Sequence, residues 1–255
     1  MLIKCISDVH MGSGDDADDF LIADEAFAKY LDSASDAQPI FILGDLFDIW
    51  ELVPWQDRVS RAASIAKAHP LSFSAIAVGI REHKIFYILG NHDRDVVYGI
   101  LNKVSYFGSS IEYIPTSVVV GDKDGTSALL THGHQWDDAN YKFWWFGRAI
   151  TFCVGLLQRC GWRDADVWLS KNIESKIPGT VAGNNHYIDL AITSAKRQGA
   201  AAVVMGHTHD AEVLARNGVT YINTGCVAKR KNGLTETLIE LGPDFITVET
   251  KEISL

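Results

Sequence analysis

The 255-residue chain is short of cysteine, of long apolar runs and of basic charge, and each shortage removes a class of protein. Its four cysteines, Cys5, Cys153, Cys160 and Cys226, contain no C-x-x-C pair. That excludes the usual structural zinc spacing, and the thiols read as reduced, in a cytosolic protein. Beside the tryptophan-rich segment, the uncharged run Ala149–Leu157 is nine residues long, whereas a spanning helix needs about 20. No transmembrane segment is expected, although contact with a membrane surface stays open. MLIKCISDVH has no charged region followed by a long apolar stretch, so no signal peptide is expected. The 32 acidic residues outnumber 23 basic ones, for a net charge of −9. Nucleic-acid binding favours a basic face, and no nucleic-acid partner is expected. Internal repeats, low-complexity tracts and Pro/Ser-rich linkers are also missing. With 47% hydrophobic residues, a chain of this length can bury a core without staples.

What is present is mostly strand followed by helix, an α/β order. LIKCI (2–6), PIFIL (39–43) and KIFYIL (84–89) are short apolar runs expected as buried strands. Helices are expected over 23–34, over 56–82 with a break near Pro70, and over 95–103. SVVVG and SALLTHG read as strands joined by the turn DKDG. Residues 185–199 read as a helix closed by glycine. AAVVMG, VTYINTG, LTETLIEL and FITVE make the C-terminal part rich in strands. Between about 135 and 185 the rhythm breaks. That stretch is helical in composition and holds five of the seven tryptophans, so it reads as an insertion into one domain spanning 1–255.

The strands end alike. They run into SDVH (Asp8, His10), GDLFD (Asp45, Asp48), GNHD (Asn91, His92, Asp93), THGH (His132, His134) and GHTH (His207, His209). Taken singly, each has an ordinary reading: a turn aspartate, a core histidine, a glycine at a strand-to-loop bend. Together they point to one site, because ligands of α/β sheets bind beyond the carboxyl ends of strands. The residue types suit two divalent cations about 3.5–4 Å apart, which can clamp a phosphoryl group. One carboxylate would bridge the ions. Imidazoles and an amide oxygen would complete the sites without the excess negative charge that repels phosphate. The mixed nitrogen and oxygen donors favour Mn²⁺, with Fe or Zn²⁺ possible, over Ca²⁺ or Mg²⁺.

The five motifs resemble those of the calcineurin-like metallophosphoesterases over almost the whole chain outside the insertion. The resemblance implies a four-layer α/β/β/α sandwich with a helical insertion. It implies one metal held by Asp8, His10, Asp45 and His209, and a second held by Asp45, Asn91, His132 and His207. His92 would act beside the phosphate as acid or charge stabiliser, with Asp93 orienting it. Asp48 and His134 would stand behind the ligands.

The run THGHQWDDANYKFWWFGRAITF (131–152) sets metal-type histidines beside five aromatics between Tyr141 and Phe146. A helix over 143–157 would be apolar nearly all round, so it is either buried or faces something apolar. It packs on itself and the core, or it forms a lid over a greasy substrate, with Trp144 and Trp145 as contacts. Arg148 shares their face and could stack on an indole or reach a phosphate. The layout is similar to the bacterial UDP-2,3-diacylglucosamine pyrophosphohydrolases, which share SDxH, GDLFDIW (44–50) and a helical cap after the fourth motif. The best-known branch of these enzymes has Arg in place of His92, and His-Gly-Asp in place of His132-Gly133-His134. The expected function is dinuclear-metal hydrolysis of a phosphodiester or pyrophosphate bond in a phosphorylated small molecule or nucleotide-linked lipid. The competing readings are a nuclease or cyclic-nucleotide phosphodiesterase, and a scaffold without catalysis. Lys229, Arg230 and Lys231 form either a solvated turn or a contact for phosphate or an anionic membrane.

Overall fold

The computed structural model describes residues 1–50, 58–93, 114–121, 125–137, 141–142, 144–172, 185–228 and 233–255. The expected helix over 95–103, most of the DKDG turn and the basic run 229–231 lie outside the described residues.

Two five-stranded mixed sheets pack face to face. The first has the order β10-β9-β1-β2-β3, from β1 (Leu2–Ile6), β2 (Ile40–Leu43), β3 (Ile85–Ile88), β9 (Gly233–Leu241) and β10 (Ile246–Ser254). The second has the order β4-β5-β6-β8-β7, from β4 (Ser117–Gly121), β5 (Ser127–Thr131), β6 (Ala202–Met205), β7 (Glu212–Arg216) and β8 (Val219–Asn223). β1, β2 and β3 run parallel, as do β5, β6 and β8.

The period of two in strand side chains explains the layers. Ile3 and Cys5 of β1, Phe41 and Leu43 of β2, Ala128 and Leu130 of β5, and Ala202 and Val204 of β6 fill the space between the sheets. Their neighbours Ile6, Ile40 and Ile42 face outward onto α1 (Asp24–Leu31), α2 (Arg58–Ala68) and α3 (Pro70–Arg81). Leu129, Val203 and Met205 face outward onto the last helix, Asn185–Arg197. The result is the α/β/β/α sandwich. The central strands read as unbroken apolar runs because both of their faces are covered. The helix break falls at His69, and Pro70 opens α3, where its missing N–H costs nothing. Asp24 caps that helix, accepting from the amides of Leu71 (2.8 Å) and Ser72 (2.9 Å).

Two further helices follow the fourth motif: α4 (Trp144–Arg159) and α5 (Ala165–Asn172), so the last helix is α6. Val154, Gly155 and Gln158 are buried on the inner side of α4. Its outer side is apolar and open, with Trp145 60% and Phe146 47% exposed and Leu156 and Leu157 beyond them. Self-packing and core burial therefore account for only one side of α4. Among the described residues no single helix is long and apolar enough to cross a membrane. The bent pair Ser60–Ala68 and Pro70–Arg81 passes on length and composition alone, and it packs on the first sheet.

Candidate metal centre

The loops beyond β1 and β2 are zipped together by backbone hydrogen bonds. The amides of Asp8, His10 and Met11 donate to the carbonyls of Gly44 (3.1 Å), Asp45 (2.9 Å) and Leu46 (3.0 Å). The second sheet is tied to the same place. The His207 amide donates to Asp8 Oδ2 (3.0 Å), and the Ala228 amide donates to the Asp8 carbonyl (2.9 Å). Gly90 and Gly206 allow this crowding. A Cβ at Gly90 would lie 2.0 Å from Asp45 Oδ1, and one at Gly206 2.3 Å from Asp8 Oδ2.

The backbone itself is strained here. Seven described non-glycine residues have left-handed φ, and five are Asp8 (53°), His10 (50°), Asp45 (49°), His207 (71°) and His209 (64°). Such residues cost about 1–3 kcal/mol each and persist where their surroundings over-determine them. Here the interlocked loop hydrogen bonds provide that constraint.

Potential ligand atoms converge in groups within 4.8 Å: Asp8, His10 and His209 in one, and Asp45, His132 and His207 in another. Asp45 Oδ2 lies between them, 3.9 Å from His10 Nε2 and 3.2 Å from His132 Nε2. Asn91 Oδ1 is 3.1 Å from His132 Nε2. His209 Nε2 is 3.2 Å from Asp8 Oδ1, without the alignment of a hydrogen bond. The other oxygens and nitrogens are held from behind. His132 Nδ1 donates to the Leu43 carbonyl (2.7 Å), so Nε2 is the nitrogen that faces Asp45 and the one that offers a lone pair once the ring is neutral.

Asp48 serves two histidines. Its Oδ2 accepts from His10 Nδ1 (3.0 Å) and its Oδ1 from His92 Nδ1 (2.9 Å). Trp50 stacks on His92 at 4.5 Å between ring centroids. Asp93, which the motif suggests as the residue orienting His92, makes its hydrogen bonds elsewhere. Its oxygens accept from the backbone amides of Leu46 (3.2 Å), Phe47 (2.9 Å) and Gly90 (3.0 Å), so Asp93 shapes the loop while Asp48 orients the ring. Asp48 stood in the quoted motif, but spacing alone does not say which of two nearby carboxylates meets an imidazole. His134 lies against the cluster, 5.4 Å from His132 by ring centroids with the rings tilted by 43°. Trp144, Trp145 and Arg148 stand on α4 and not on a strand end.

Charge at the centre is tightly balanced. Burial works against the Asp8, Asp45 and Asp48 carboxylates, but the imidazoles around them outweigh it and hold all three below the usual range. Burial likewise lowers His92 and His132, but Asp48 and Asp45 raise His92 to about 9, and Asp45 raises His132 to about 9. Burial and the Asp45 charge raise Asp93 to about 6.

A pH dependence of stability follows for the metal-free protein. An imidazole raised from about 6.5 in the unfolded chain to about 9 stabilises the fold fully below pH ~6.5, and that stability is lost as pH rises to ~9. Each of these shifts is on the order of 3 kcal/mol. The lowered carboxylates act oppositely, stabilising above pH ~4 and losing their contribution as pH falls further. Chelator-treated protein is expected to lose several degrees of Tm between pH ~6.5 and ~9. Added Mn²⁺ should abolish that decline, since metal binds the deprotonated His132 ring and its charge lowers the neighbouring His92. Scanning Tm against pH with and without metal checks this. A flat metal-free profile would contradict it.

Fold and site together define an α/β protein of metallophosphoesterase type, with histidine–carboxylate clusters at its strand ends. More specifically, the chain belongs to the calcineurin-like phosphoesterase family, whose description matches residues 1–211. Members of that family bind divalent metals and hydrolyse phosphorylated substrates. No curated protein matches the chain. Among solved structures it is similar to the phosphoesterase Yfce of E. coli, at 17% identity and TM-score 0.42, covering 100% of this chain and 99% of that one. It is also similar to an archaeal phosphodiesterase, at 17% identity and TM-score 0.42, covering 100% of both chains. Vps29 of Entamoeba histolytica, complexed with zinc, matches at 12% identity and TM-score 0.43, over 100% of this chain and 99% of that one. Membership rests on the family match.

Proposed function

We propose that this phosphoesterase uses two divalent ions to hydrolyse a phosphodiester or pyrophosphate bond of a nucleotide-linked lipid resembling a UDP-diacylglucosamine. The observation that carries the reading is the position of Asp45 Oδ2, which faces both ligand groups. The donor set fits two ions. Asp8 Oδ1 and His10 Nε2 are buried without a hydrogen bond, an arrangement that is costly unless a cation occupies the space they face. Asp8, His10, Asp45 and His209 would hold one ion, and Asp45, Asn91, His132 and His207 the other. When bound, such ions supply positive charge opposite the phosphoryl oxygens. Mn²⁺ is favoured, with Fe or Zn²⁺ fitting the same donors. His92, gripped by Asp48 and stacked on Trp50, presents its remaining nitrogen to the substrate as acid or charge stabiliser.

The lipid part of the reading is supported by α4. Its exposed side is apolar, and Trp162 and Trp168 continue it at 44% and 47% exposure. Its far end is anchored on the loop after β1, through Arg159 to Asp15 (2.8 Å) and Arg163 to Asp16 (2.9 Å). Its near end begins at Trp144, ten residues after His134 of the fourth motif. In this reading the exposed side of α4 is the greasy surface that receives acyl chains, and Arg148 is the cation on that helix that would meet phosphate. Peripheral contact with the cytoplasmic face of a membrane would bring such a substrate within reach.

Trp145→Ala and Trp144→Ala are expected to reduce turnover of a lipid-linked pyrophosphate selectively. Each buried CH₂ supplies about 0.8 kcal/mol, so acyl chains carry binding energy that a small chromogenic diester lacks. Activity on the small diester should hold within a few-fold. Because Trp145 is largely exposed, its loss should not cost the about 3–5 kcal/mol of a buried Trp. Measuring both activities and Tm separates the readings. Parallel loss on both substrates would remove the lipid assignment and leave the phosphoesterase.

A further inference from the structure

We infer that Asp137 is a positioning residue for the second metal site, holding His207 in the tautomer that binds an ion. This rests on the dinuclear reading above and extends it to a residue outside the five motifs. Asp137 is 3% exposed, and its Oδ2 lies 3.1 Å from His207 Nε2. A neutral imidazole has one N–H and one lone pair. With Nε2–H donated to this carboxylate, the lone pair is left on Nδ1, available to the group that His207 forms with Asp45 and His132. The same device recurs at His10, whose Nδ1 meets Asp48, and at His132, whose Nδ1 meets the Leu43 carbonyl. Carboxylates behind metal-bound imidazoles fix ring orientation and raise ligand basicity.

Local structure delivers Asp137 to this place. Gly133 takes φ 108°, and a Cβ there would collide with the Tyr187 hydroxyl and Met205. One 3-10 turn, His134–Trp136, then swings Asp137 back under His207, with the Asp137 amide donating to the His134 carbonyl (3.1 Å). The Asp137 carbonyl in turn accepts from the Tyr141 amide (2.8 Å), at the root of the aromatic segment. One residue therefore joins a metal ligand to the start of the cap.

The test is calorimetric titration of the chelator-stripped full chain with Mn²⁺ and with Zn²⁺, for wild type, Asp137→Asn and His207→Ala. Asp137→Asn keeps the side-chain shape and removes the charge. One of the two ions is expected to bind about 10–100-fold more weakly, with the other within about two-fold of wild type. Unchanged affinities at both sites would overturn the inference while leaving the metal centre standing. Loss of the ion as complete as in His207→Ala would also overturn it, making Asp137 a ligand in its own right. Equal weakening of both ions, with a lower Tm of the metal-free variant, would reduce Asp137 to a fold residue. A wild type that takes up fewer than two ions would remove the dinuclear reading and this inference with it.

Discussion

Asp45→Asn should empty both metal positions at once. Asp45 Oδ2 is 3.2 Å from His132 Nε2 and 3.9 Å from His10 Nε2, so a single oxygen serves both groups. Its other oxygen accepts from the His92 amide (2.8 Å) and is already committed to the loop. Asparagine offers one oxygen and no charge. If that oxygen faces the ions, the His92 amide meets an NH₂ group and the loop is repelled. If it faces the amide, the NH₂ group faces the ions. In either rotamer the chain loses the charge that screens two cations from each other. Metal content is expected to fall well below two per chain. Turnover should fall beyond the about 10–100-fold that loss of an outer partner costs. Asp45 is also the charge that raises His132, so the metal-free variant should lose part of the alkaline destabilisation expected of wild type. Metal analysis after gel filtration, beside an activity assay, decides the matter. Two retained ions with near-normal turnover would take Asp45 out of the bridging position.

The strand ends were legible because signals coincide there: a short apolar run, a residue with oxygen or imidazole donors and, at every end but that of β1, a glycine. Both faces of the central strands are covered, so their runs are continuous and easily seen. β7 escaped for the opposite reason. Glu212–Arg216 is a mostly exposed edge strand whose sequence, EVLAR, sets only three apolar residues between charged ends, too short a run to stand out. Contacts made across chain distance were equally hidden. Asp48 and Asp93 are both near His92 in the motifs, and only the fold shows that Asp93 is spent on three amides. Trp50 belonged to the quoted GDLFDIW, yet its place against His92 depends on the β2 and β3 ends lying side by side. The aromatic segment was legible as composition and not as orientation. Which side of α4 turns outward depends on where its Gln158 and Arg159 find partners, and these reach Asp19 and Asp15 in another loop.

His92→Ala should leave the metals bound and remove most of the turnover. His92 is assigned to neither ion; its ring groups with His10 and Asp48 and not with the Asp45, His132 and His207 set. Its Nδ1 is held by Asp48 and its face lies on Trp50, so only Nε2 points to the open side. Its pKa of about 9 without metals makes it a cation at neutral pH, able to donate a proton or to offset phosphoryl charge. Nearby bound cations lower an imidazolium pKa, so an alkaline fall in turnover is expected at or below pH ~9. Losing a general acid costs about 10²–10⁴-fold. The leaving group tells the two roles apart. A nitrophenolate departs without protonation, so a proton donor should matter less for it than for an alkoxide or sugar leaving group. Charge stabilisation makes no such distinction. Asp48→Asn should differ from both, since Asp48 also holds His10: it should weaken metal binding about 10–100-fold in addition to slowing turnover. Metal content, pH profile and a leaving-group series on the two variants test the assignment. Loss of metal from His92→Ala equal to that from Asp48→Asn would make His92 part of the metal site and end its role as the group beside the phosphate.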